Sequence, residues 1–75
     1  MLLITIRRGT TEDARQEIAC YRNAFSCQTI RDTADAITLL TPDTDAAPVF
    51  ADMEHNRPVN ITTDEETIIA AIMAA

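Results

Sequence analysis

SCQTIRDTADAITLLT, Ser26 to Thr41, decides the fold. Two periodicities compete in it. Ile30, Ala34, Ile37 and Leu40 fall on one face of a helix, at spacings of three and four. Thr29, Thr33, Thr38 and Thr41 favour strands instead, because β-branched side chains are stiff in a helix and fit a pleated surface. The centre, Asp32 to Asp35, supplies turn chemistry from short polar side chains that bond to nearby backbone. The stretch is therefore read as two antiparallel strands, near 26–31 and 36–41.

Toward the amino end, LLITIRR (2–8) alternates Leu2, Ile4 and Ile6 with Leu3, Thr5 and Arg7, the pattern of a strand with one apolar face. Gly9 ends it. Thr10 is read as a helix N-cap with Asp13 completing a weak capping box, and Glu12 and Asp13 suit the positive end of a helix dipole. From Thr11 to about Phe25, the residues Ala14, Ile18, Tyr21 and Phe25 share one helical face.

Toward the carboxyl end, Pro42 to Ala47 reads as a loop and PVFADM (48–53) as a strand. In that reading Val49, Ala51 and Met53 face the core, and Phe50, Asp52 and Glu54 face away. His55 to Pro58 forms a turn, and Val59 and Ile61 add a short strand. Thr62 and Thr63, each three residues before a glutamate, signal the start of a final helix whose apolar positions are Ile68, Ile69, Ile72 and Met73. The order β-α-β-β-β-(β)-α predicts a single α+β domain over 1–75. Its antiparallel sheet has three to five strands, and two helices pack on one face.

Composition narrows the function classes. Hydrophobic residues make up 47% and charged residues 24%, which is enough apolar material for a folded chain. Seventy-five residues sit near the lower limit for one self-sufficient core. There is no lysine, and all six basic residues are arginine. Residues 1–41 balance five acids against five arginines. Residues 42–75 hold seven acids and Arg57, so the whole net charge of −6 lies there. Such a field repels nucleic acid and anionic membrane and attracts basic partners. No apolar run nears the roughly 18 residues of a membrane span, and no secretory leader pattern precedes Cys20 and Cys27. Both cysteines are read as reduced, partly buried thiols in a cytoplasmic protein.

PDTDAAPVFADMEH (42–55) gathers Asp43, Asp45, Asp52, Glu54 and His55. As a metal site it lacks the glycine and distal glutamate of a calcium loop, and the chain has no zinc spacing. As a catalytic site it lacks a nucleophile turn, and a chain this short leaves little room for a pocket of roughly 300 Å³. Neither metal, cofactor nor enzymatic activity is expected. Arg7 and Arg8 are read as partners for the acids of the second half rather than as a phosphate grip.

MLLITIRRG (1–9) is similar to the first strand of the carbon-storage-regulator family of RNA-binding proteins, and VNITTDEE (59–66) resembles its last strand and helix start. These segments cover about a quarter of the chain. The family's central glycines and the basic residue near its last strand are missing here, and an acidic helix intervenes, so RNA binding is not carried over. In size and charge the chain is similar to phage-encoded inhibitors of bacterial defence, anti-CRISPR proteins among them, a class without a sequence signature. The expected function is that of a small acidic inhibitor or adaptor occupying a basic surface of a partner protein. Leu3 and Phe50 would be its apolar anchors, and Asp43, Asp45, Asp52 and Glu54 its steering charges. The alternative is a self-associating subunit, a homodimer without catalytic activity.

Overall fold

The hairpin reading of Ser26–Thr41 holds. In the computed structural model, which describes residues 1–75, β2 (Gln28–Asp32) and β3 (Ala36–Thr41) pair antiparallel. The turn between them is closed by Thr33, whose Oγ1 donates to the Ala36 carbonyl at 3.1 Å. Around this hairpin stand β1 (Leu2–Arg7), α1 (Glu12–Ala24), α2 (Ala46–Ala51), β4 (Val59–Thr62) and α3 (Glu65–Ala74). The fold is α+β, with one four-stranded antiparallel sheet in the order β2-β3-β1-β4.

Strand alternation divides the sheet into two faces. Leu2, Ile4 and Ile6 from β1 and Ile37 and Leu39 from β3 form one buried cluster with Ile18 of α1 and with Ala46, Phe50 and Met53. Phe50 is fully buried, and Tyr21 meets it edge to face at 5.6 Å between ring centroids, with Phe25 at 5.7 Å. The helix stripe Ala14, Ile18, Tyr21, Phe25 is the face α1 turns to this core. On the opposite face Leu3 and Leu40, cross-strand partners, pack with Ile68 of α3.

Two expectations change. Where a strand is expected over 48–53, the chain forms the last residues of helix α2 (Ala46–Ala51) and the turn after it, the helix starting within the expected loop. Ala46, Phe50 and Met53 are all buried, at spacings of four and three, while Val49 and Ala51 are exposed. That is helical periodicity, and Pro48 fits it, because in the first turn of a helix its missing N–H has no partner to lose. The helices also cover both faces. α1 and α2 fill the Leu2–Ile4–Ile6 side, so α3 takes the other, where Leu3 and Leu40 need cover.

The caps shift by a residue or two. α1 is capped by Thr11, not Thr10: its Oγ1 accepts the Ala14 N–H at 3.1 Å. α3 is capped by Asp64, whose carboxylate accepts the Thr67 N–H at 3.0 Å, while Thr62 Oγ1 accepts from the Asp64 N–H. A charged carboxylate at the positive end of a helix is a better acceptor than a neutral hydroxyl. At its far end α1 closes with a paired hydrogen-bond motif: Cys27 N–H donates to the Arg22 carbonyl at 2.9 Å and Ser26 N–H to the Asn23 carbonyl at 3.4 Å. Ser26 takes a φ of 51° to allow it.

Candidate functional site

The registers Leu2↔Thr41 and Leu3↔Thr62 set the carboxyl ends of β3 and β4 on either side of the amino end of β1. Asp43 and Asp45 therefore follow one strand, and Asp64, Glu65 and Glu66 follow the other, at the same end of the sheet. All five are exposed. Asp52 and Glu54 do not join them. They follow α2 on the way back to the start of β4, and the Glu54 N–H donates to Glu17 of α1 at 2.9 Å.

None of the seven acids of residues 42–75 forms an ion pair with an arginine. The arginine–carboxylate pairs are Arg8–Asp32 and Arg15–Glu12, both within the neutral half. Arg8 thus pairs with an acid of its own half, contrary to expectation, because its backbone N–H bonds to the Asp35 carbonyl in the β2–β3 turn, which brings Asp32 at the end of β2 within reach. Arg57 donates to the Met53 carbonyl instead of to a carboxylate. Hydrogen bonds from Thr67 hold the Asp64 carboxyl below its ordinary value.

The expected apolar anchors are not available. Leu3 is 6% exposed under α3 and Phe50 is 0% exposed under α1. The outward expectation rests on helices covering one face only and on a strand over 48–53, and neither is found. The exposed apolar residues lie elsewhere. From Ile68 to Ala75 the chain has no polar side chain, yet α3 buries only Ile68, with Ala71 half-buried. Ile69 is 48%, Ile72 45% and Met73 81% exposed, and Met1 beside them is 56% exposed.

Met1, Thr63, Glu65, Ile68, Ile69 and Ile72 line an open groove of about 370 Å³. This is more room than the chain length predicts, because the groove lies on the surface, against α3, and not in the core. Glu65 is its only ionisable side chain, so the lining holds no nucleophile–base set. A smaller recess of about 140 Å³ lies on the same sheet face, between Thr5, Thr38 and Arg31 on one side and Ala71 and Ala74 on the other. Nowhere do three His, Cys, Asp or Glu side chains gather as a metal cage.

A second polar cluster ties the fold together. Asn56 is 1% exposed. Its Oδ1 accepts the Gly9 N–H at 2.8 Å, and its Nδ2 donates to the Ala14 carbonyl and, at 3.0 Å, to Glu17 Oε1. Glu17, whose side chain is 11% exposed, also accepts the backbone N–H groups of Glu54 and His55, and His55 Nδ1 lies 3.5 Å from its Oε2. Burial pushes the Glu17 carboxyl up, but the bonds from Glu54, Asn56 and His55 outweigh it and leave it below its ordinary value. The cluster joins the turn after β1, helix α1 and the loop after α2. Its donors and acceptors satisfy one another, which marks it as structural.

Both cysteines are free thiols. Cys20 is exposed on α1 rather than packed, and burial among its neighbours pushes the half-buried Cys27 thiol up. No helix is long and apolar enough to cross a membrane. No protein-family model matches the chain, and no curated protein or solved structure is significantly similar to it.

Proposed function

We propose that the chain is a small protein-binding module, an inhibitor or adaptor that acts by occupying a basic surface of another protein. The observation that carries this is the pairing of two unmet demands on one side of the molecule. Exposed Ile69, Ile72 and Met73 have no cover, and the neighbouring Glu65 and Glu66 have no cation. A contiguous apolar strip on so small a surface marks an interface, and unpaired acids around it favour a basic partner and repel nucleic acid. The anchors proposed are thus those of α3. Asp43 and Asp45 keep their steering role at the same end of the sheet. Asp52 and Glu54 lie outside this surface. The free thiols support a reducing compartment such as the cytoplasm.

Self-association has the same apolar strip in its favour. Charge opposes it, since each copy brings a net charge of −6.

The test is affinity capture from lysate of the source organism or its host, with the wild type and with Asp45→Asn/Glu65→Gln/Glu66→Gln as baits, washed at low and high salt. A basic protein held by the wild type at low salt, released at high salt, and lost by the triple variant supports the reading. Equal capture by both baits, or capture of the bait alone, overturns it.

A further inference from the structure

We propose that the groove between Met1 and α3 docks a basic amphipathic helix of the partner. The proposal rests on the protein-binding reading and specifies its occupant.

Three observations select a helix with cationic residues. First, Ile68, Ile69 and Ile72 of α3 line the groove at helical spacing, with Met73 exposed beside them, so the apolar contact is the flank of a helix, into whose grooves the side-chain ridges of another helix pack. Second, the groove wall is the flank of a helix. It offers side chains and no free strand edge, so an extended peptide would find no ladder of backbone bonds there. Third, the one charged side chain in the lining is Glu65, and the Met1 α-amino group forms no ion pair with it. Glu66 and Asp64 adjoin it, and no arginine lines the groove or lies on α3. The cations must come from the occupant.

The same charges disfavour a second copy. An α3 from another molecule would bring its own Glu65 and Glu66 and no basic residue, leaving both sets uncompensated in either direction of packing.

The experiment uses the full chain, isotope-labelled for NMR. Two synthetic peptides of leucine, alanine and arginine, each of roughly 18 residues, a length of about five helical turns, are titrated separately. They share one composition. One places leucine at i, i+3, i+4 and i+7, and the other scrambles the order. The proposal expects the patterned peptide to shift the resonances of Met1, Thr63, Glu65, Ile69 and Ile72. It should bind at least about tenfold more tightly than the scrambled one and weaken with salt as exposed charge pairs do. Ile72→Glu should cost about tenfold or more. Glu65→Lys, at an exposed site that does not threaten folding, should weaken binding and flatten its salt dependence.

Equal affinity of the two peptides, shifts centred on Asp43 and Asp45, or no shift with either peptide would overturn the groove assignment. So would a dimer in sedimentation that Ile72→Glu dissociates, since the occupant is then a second copy. None of these results decides the lysate capture, which independently tests whether a basic partner exists.

Discussion

Asn56 Oδ1 accepts the backbone N–H of Gly9 at 2.8 Å, joining residues 47 apart in sequence. The contact is close enough that only glycine fits. A Cβ at position 9 would collide with the Ala14 methyl and stand 2.8 Å from the His55 carbonyl oxygen. Asn56→Ala leaves the half-buried Gly9 N–H without its partner, takes a bond from the buried Ala14 carbonyl, and is expected to cost about 3 kcal/mol. Gly9→Ala is expected to destabilise as well, through the clash. Combining the two should cost less than the sum of the single effects, because both act on one contact. Urea unfolding of the three variants checks this. Additive losses would show that Gly9 and Asn56 act separately.

Glu17 sets an acid limit on stability. Its carboxyl lies below the ordinary value of 4.5 in the folded chain. A depressed carboxylate stabilises the fold above the unfolded-state value and loses that contribution as pH falls through the folded-state value. Stability should therefore fall below about pH 4.5. Glu17→Gln should be less stable at neutral pH and show a shallower acid decline. Glu12 and Asp64, also held low by their hydrogen bonds, preserve part of the slope. Thermal melts from about pH 3 to 7, which span the carboxylate range, provide the measurement. Parallel curves for wild type and variant would refute the role given to Glu17.

Ser26 pays for the closing turn of α1 with a φ of 51°. Glycine reaches that region without a Cβ penalty. Ser26→Gly should stabilise by about 0.5–1 kcal/mol, with no change in the two backbone bonds that end the helix. A lowered melting temperature would mean that the Ser26 side chain matters in a way the backbone geometry does not show.

Phe50 and Val49 separate the helical from the extended reading of 48–53. Phe50 lies in the core against Tyr21 and Phe25, whereas Val49 is 37% exposed. Phe50→Ala should cost about 4 kcal/mol, a large part of what a domain of this size has. Val49→Ala should stay within about 0.5 kcal/mol. The opposite ranking would restore the strand.

Two physical features separate the fold from the pattern of its sequence: a double period in 48–53 and a sheet covered on both faces. The α1 stripe is legible because it carries one period and its own cap residues, and the 26–41 hairpin because its threonines and the turn residues Asp32–Asp35 decide between two competing periods. Residues 48–53 carry two periods at once. Val49–Ala51–Met53 alternates, while Ala46–Phe50–Met53 winds, and only the core decides between them. The second sheet face was written in the sequence as Leu2–Leu3–Ile4 and Leu39–Leu40, unbroken apolar runs that mean burial on both sides. Leu3 belongs to that second face, whereas Phe50 is buried through the helical period of α2. The surface that replaces them was visible in the apolar run Ile68–Ala75, which is too uniform for a helix with one wet side.

The central position of β1 bears on how the chain is made. β1 is the earliest of the elements to leave the ribosome, yet its neighbours β3 and β4 are translated long after it. Throughout that interval LLITI is an unpaired, sticky strand, of the kind that nascent chains offer to chaperones or to one another. Arg7 and Arg8 sit directly behind it. Two fixed positive charges flanking an aggregation-prone segment act as gatekeepers, which gives this pair a task before Arg8 has met Asp32.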